Sequence, residues 1–101
     1  MDVSIKYLMS LEEDELLELL VPPSERHSPD SDIPRGKYIL NQCISRSKDS
    51  IVSFYNEHRN AIAFTEELVA ALVPVISKSV PATIVVVIAV IVLKHGIEKY
   101  I

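Results

Sequence analysis

The sequence predicts an all-α protein: a small bundle or hairpin of three to four helices with an apolar C-terminal helix that is a candidate for spanning a membrane. Three observations predict it. Apolar residues recur every three or four positions over 36–62, and Ser10 and Thr65 each precede a run of acidic residues, a typical helix start. Prolines separate the periodic segments. A chain of 101 residues fits one domain.

The first segment, 1–21, is predicted to be an acidic helical region. Residues 2–9 alternate loosely between apolar and polar, which is typical of a short strand or of the lead-in to a helix. Ser10 and Glu13 have the spacing of a capping box, in which each side chain bonds the other residue's backbone N–H. A leucine-rich helix is expected over 11–21, ended by a pair of prolines.

Residues 22–35 contain four prolines and three serines, and this composition predicts a linker. Residues 36–78 are predicted to be amphipathic and helical. A first helix over 36–62 carries one buried stripe, and a second begins at Thr65 and kinks or ends near Pro74. The stripe residues are Leu40, Ile44, Ser47, Ile51, Phe54, His58 and Ile62.

The last segment, 79–101, is predicted to be an apolar helix opened by Pro81, and 79–93 contains no charge. Three structures are compatible with this segment. A membrane helix of fifteen residues would rise only about 22 Å, short of a hydrocarbon core of about 30 Å, although Lys94 could reach the interface and lengthen the span. A buried helix of a soluble bundle is the second. A buried β-strand is the third, favoured by the many β-branched residues.

We favour the membrane helix over the soluble helix and the strand, because so small a chain has few elements with which to surround a helix that is apolar on every side. Lipid or another polypeptide is therefore expected to cover this segment. The partners implied are membrane lipid, a protein, or a second copy of the chain. The residues expected to make the membrane or partner contacts are Ile84, Val87, Ile88, Ile91, Val92, Leu93, Ile97 and Tyr100.

The charge distribution and the reactive side chains argue against nucleic-acid binding, metal binding and catalysis. Residues 1–67 hold 13 acidic and 7 basic side chains, which argues against a nucleic-acid partner. The lone Cys43 allows no intrachain disulfide and favours a reducing compartment, and the N-terminus does not resemble a signal peptide. The three histidines lack ligand spacing, so no metal or cofactor is expected. The S-x-x-K match from Ser45 to Lys48 lacks the companion motifs of serine–lysine enzymes, and no catalytic residue is predicted.

The ten residues from Val92 to Ile101 resemble the ends of circular bacteriocins, small helical peptides that act on membranes. The likeness rests on a few Lys, Ile and Gly positions, and the long acidic first half departs from that family, so no function is carried over.

The function expected from the sequence is that of a non-enzymatic protein anchored by 79–101, which tethers or regulates a partner at the membrane. Its N-terminal region would face the cytoplasm. The alternative is a soluble helical-bundle module that oligomerises or binds a partner protein, and a more remote alternative is a small membrane-active effector.

Overall fold

The computed structural model describes residues 4–101, and within them the chain is helical with no strand. The prediction of an all-α fold is confirmed, and the strand alternative for 79–93 is wrong. Two short 3-10 turns, Pro23–Glu25 and Ile97–Tyr100, accompany five α-helices. The helices are α1 (Ile5–Met9), α2 (Glu13–Leu20), α3 (Pro29–Glu57), α4 (Glu66–Ile76) and α5 (Val85–His95).

The N-terminal region folds as two short helices. Residues 5–9 adopt the helical alternative, whereas Val3 lies outside the described residues. The predicted capping box is wrong by two positions, since the Glu12 N–H donates to the Glu15 side chain at 3.1 Å. The Ser10 hydroxyl instead donates to the Tyr7 carbonyl at 2.6 Å, because Ser10 is the C-cap of α1.

Helix α3 begins at Pro29 and so includes the last seven residues of the predicted linker at 22–35. Proline at the first helical position needs no N–H partner, so Pro29 starts the helix instead of preventing it. The Asp32 carboxylate, 4% exposed, accepts the His27 N–H at 3.1 Å and fixes the approach to the helix. Only the part of the predicted linker before Pro29 lies outside an α-helix.

The predicted stripe of α3 is buried from Leu40 to Phe54. Its C-terminal part differs from the prediction, because α3 ends at Glu57 with His58 as its C-cap. The His58 ring stacks on Phe54 with a centroid distance of 4.2 Å. Near its other end α3 packs closely on α2: a Cβ on Gly36 would lie 2.1 Å from the Leu17 carbonyl oxygen. Glycine is therefore required there.

Helix α4 starts as predicted, with the Thr65 hydroxyl accepting the Leu68 N–H at 3.2 Å. Pro74 lies inside the helix, which ends at Ile76. Helix α5 begins at Val85, after a turn that contains Pro81. It packs against α1, α2 and α4. The stretch from Ile88 to Val92 is fully buried.

The burial of α5 corrects one expectation. The chain's own short N-terminal helices and α4 bury all of residues 85–93 except the half-buried Val86. Two covering elements go beyond the prediction. Residues 5–9, for which the pattern allows a strand or the lead-in to a helix, form α1, and the 3-10 turn after Gly96 adds Ile97, which is 0% exposed. Among residues 4–101, no helix combines the length and the apolar character that a membrane crossing requires.

Candidate functional site

An apolar groove of about 500 Å³ opens where α1, the end of α2 and the start of α5 meet. Its volume lies within the range of protein sites that bind small molecules or anchor side chains, and its wall is mostly hydrocarbon. The lining residues are Tyr7, Leu8, Leu19, Leu20, Val21, Pro22, Pro23, Arg26, Thr83, Ile84 and Val87.

The end of α2 shapes one wall of this groove. Leu20 and Val21 are buried, and the two prolines that follow turn the chain away from the helix. The Arg26 side chain then returns to the helix end: its Nε donates to the Val21 carbonyl at 2.9 Å, and its Nη2 lies 3.5 Å from the Leu19 carbonyl oxygen. These contacts satisfy two carbonyls that the helix leaves open and hold the guanidinium at the rim.

The groove has a buried floor and an exposed rim. Leu8 and Val87 are almost completely buried, whereas the Tyr7 side chain is 58% exposed. Thr83 is exposed and Ile84 is half-buried, both just before the first turn of α5. A partner would therefore meet a tyrosine ring and an isoleucine at the entrance and aliphatic side chains below.

A shallower depression of about 250 Å³ adjoins the groove and shares Tyr7, Leu19 and Arg26 with it. Its remaining lining residues are Leu11, Glu15 and Glu18. The two depressions form one continuous surface along α2: the groove is mostly apolar, and the shallower depression beside it carries Glu15, Glu18 and Arg26. We call this surface the α2 groove surface.

The residues predicted from the sequence fall into two groups. Ile84 and Val87 line the groove, with Ile84 half-buried at its entrance and Val87 buried in its floor. The others do not line it: Tyr100 is half-buried, and the buried ones are Ile88, Ile91, Val92, Leu93 and Ile97.

Sequence reasoning missed the groove residues contributed by the N-terminal helices. Tyr7 and Arg26 are more than fifty residues away from Ile84 in the chain, and no periodic pattern links them. The available signal was weaker: the proline pair after an apolar helix end marks a sharp turn that leaves the neighbouring apolar side chains partly uncovered.

A polar cluster fixes the opposite end of α5. The Lys94 ammonium donates to the Leu11 carbonyl in the turn between α1 and α2, so this lysine serves the fold instead of extending an apolar span. The His95 Nε2 lies 3.7 Å from Glu13 Oε1. Burial and the nearby Glu13 charge together raise the pKa of Tyr100 above its ordinary value. With Val87 near the end of α2 and His95 near its start, α5 runs antiparallel to α2.

A second open cleft of about 440 Å³ lies between the last turns of α3 and the end of α4, and Asp49, Glu57 and Lys78 are among its lining residues. Burial raises the pKa of the Cys43 thiol on α3, and the nearby Arg46 lowers it by a smaller amount. The Cys43 thiol is therefore kept protonated and unreactive at neutral pH. Among residues 4–101 no three His, Cys, Asp or Glu side chains converge into a metal-binding group.

Comparison of the chain with protein-family models, with curated proteins and with solved structures finds no significant match. The fold itself places the chain in the class of small all-α bundles, here arranged around one apolar helix.

Proposed function

We propose that this chain is a non-enzymatic helical interaction module that binds a partner protein through the α2 groove surface. The observation that carries the proposal is the groove itself, an open cavity with a mostly apolar lining and the exposed Tyr7 at its entrance. Its only charged lining group, Arg26, is already bonded to two backbone carbonyls.

The chemistry of the groove supports docking more than catalysis. Catalysis requires a polar group aimed at a reacting atom, whereas these walls are mostly aliphatic and proline surface, and the guanidinium of Arg26 is bonded to backbone carbonyls. Exposed tyrosine beside an apolar pocket is typical of the centre of a protein interface, where aromatic and aliphatic anchors supply most of the affinity. Ile84 and Val87, which the sequence indicates as contact residues, form part of that surface.

Photo-crosslinking tests the proposal. A photoreactive amino acid in place of Tyr7 is expected to yield a discrete crosslinked protein in an extract of the source cells. The same residue in place of Ser45, exposed on α3, should not. Ile84→Asn should abolish the product, because it makes the groove entrance polar. Asparagine is favoured at the N-cap of a helix, the position that Ile84 occupies, so the fold should be retained. Identical products from both positions would contradict the proposal.

Membrane tethering remains a second candidate, and one observation favours it: α5 is apolar on every side from Val85 to Leu93. On this proposal α5 would leave its neighbours and enter lipid, placing the chain at a membrane with its N-terminal region on the cytoplasmic side. Carbonate washing of membranes from the source cells distinguishes the two functions. Release of the chain into the supernatant would rule out integral insertion, whereas retention in the pellet would favour it.

A further inference from the structure

We propose that the occupant of the α2 groove surface is an amphipathic helix of a partner protein that carries lysine or arginine about one turn away from its apolar anchors. This inference rests on the proposed function and adds the chemistry of the partner. It follows from the continuity of an apolar and an acidic depression along a single helix.

The acidic half of the surface comes from α2. The segment from Glu12 to Glu18 contains five carboxylates and no basic residue, and Glu15 and Glu18 line the shallower depression. Glu18 has no ion-pair partner among residues 4–101. Glu15 uses one oxygen to accept the Glu12 N–H, which leaves further lone pairs on its carboxylate free to accept.

Arg26 does not cancel this acidic charge. Its guanidinium contacts the carbonyls of Leu19 and Val21, at the end of α2 where the helix dipole is negative. Arg26 also lines the acidic depression, but its guanidinium is bonded to these carbonyls and forms no ion pair with Glu15 or Glu18 among residues 4–101. Two carboxylates against one arginine leave that depression with a net negative charge. A ligand that covers both depressions meets apolar surface first and negative charge next to it.

The spacing suits a helix. Glu15 and Leu19 are four residues apart on α2, a rise of about 6 Å, which is about one helical turn. A bound helix whose apolar residues recur every three or four positions would place side chains in the groove, and a basic residue one turn away would reach Glu15 or Glu18. Acidic helices and anionic lipid headgroups would be repelled by the same carboxylates.

Two synthetic peptides test the charge preference. Both form an amphipathic helix of about four turns with leucines spaced three and four apart. One carries lysines beside the leucines, and its twin carries glutamates at the same positions. In low salt the lysine peptide is expected to bind at least about tenfold more tightly than its twin, and the preference should shrink at about 0.5 M salt, where screening is strong.

Two double variants of the chain test whether Glu15 and Glu18 cause the preference for the lysine peptide. Glu15→Gln with Glu18→Gln removes both charges, and glutamine preserves the capping interaction at position 15. Two exposed ion pairs are worth about a fivefold change, so binding of the lysine peptide should weaken by about that factor. The matched control, Glu57→Gln with Glu98→Gln, changes the net charge equally outside the α2 groove surface and should leave binding within about twofold.

The outcomes separate this inference from the proposed function. Equal binding of both peptides, lost in Ile84→Asn, would overturn the charge preference and leave the groove as a docking site. Failure of the lysine peptide to bind would overturn the inference, and crosslinking from Tyr7 would still test the proposed function separately. Binding of phosphatidylserine-containing vesicles that Ile84→Asn abolishes would assign the groove to lipid and overturn both.

Discussion

Helices α3 and α5 bury their residues in opposite ways. Helix α3 spans 29 residues and buries a single stripe while its other faces are solvated. Helix α5 has 11 residues and buries eight of them, with no polar face before Lys94. An amphipathic pattern thus marks a helix with neighbours on one side, and its loss marks a helix enclosed by several neighbours.

The enclosure of α5 shows how a small chain hides a very apolar helix. The cover comes from α4, which has 11 residues, and from two shorter helices, α1 with five and α2 with eight. Each short helix is marginal alone and depends on packing against α5 for its stability. The helices that enclose α5 are therefore expected to fold together with it as one cooperative unit.

The largest expected effect comes from placing a charge in α5. Ile91 is 0% exposed, so Ile91→Asp buries an unpaired carboxylate at a cost of several kcal/mol, comparable with the whole stability of a small domain. The variant should lack a cooperative urea transition, as measured by circular dichroism. Ser45→Asp on the exposed face of α3 should stay within about 0.5 kcal/mol of the parent. Similar stability of the two variants would refute the contrast between the helices.

Gly36→Ala tests the close contact between α3 and α2. Alanine usually stabilises a helix relative to glycine, but here the added Cβ would lie 2.1 Å from the Leu17 carbonyl oxygen, so the helices must separate. We expect a loss of about 1–3 kcal/mol in the free energy of unfolding from urea titration. Ser45→Ala, with open space around it on the same helix, should be neutral or stabilising. A stabilising Gly36→Ala would show that the two helices are less closely packed than described.

Lys94→Met tests how the end of α5 is fixed. Loss of the ammonium leaves the partly buried Leu11 carbonyl without its donor, and a destabilisation of about 1 kcal/mol is expected. Amide exchange in the turn between α1 and α2 should quicken. Lys48→Met on the exposed side of α3 serves as the control and should change neither quantity. Unchanged exchange in the first variant would mean that Lys94 does not hold this turn.

The smallest effect is expected at Ser47, the one polar residue in the buried stretch of the α3 stripe. Ser47 is 1% exposed, and its hydroxyl has no hydrogen-bond partner among residues 4–101. Ser47→Ala removes that unsatisfied group and should raise the free energy of unfolding by up to about 1 kcal/mol. Thermal melting of this variant beside Ser53→Ala, an exposed serine of α3, measures the difference. A clear loss of stability at Ser47 would reveal a partner for the hydroxyl.

The sequence predicted the features that depend on local chemistry. The α3 stripe from Leu40 to Phe54 and the Thr65 N-cap are both present, since periodicity and capping are read from neighbouring residues. The displaced capping box at Glu12 and the helical start at Pro29 were missed, because nearby residues can often satisfy the same helix end in more than one way.

The site was harder to predict than the helices. Ile84 and Val87 were singled out because they are apolar, a property they share with the buried Ile88 and Ile91. Which of these residues lines the groove is decided by where α1 and α2 end against α5. That arrangement is tertiary, and hydropathy along the chain does not encode it.

Amide hydrogen exchange in detergent-free buffer tests most directly whether the chain itself encloses α5. The structure predicts that the amides of residues 88–92 exchange most slowly in the molecule, at a rate set by global unfolding, and that added lipid vesicles leave that rate unchanged. Rapid exchange at these positions, or protection that develops only with vesicles or detergent, would contradict the account.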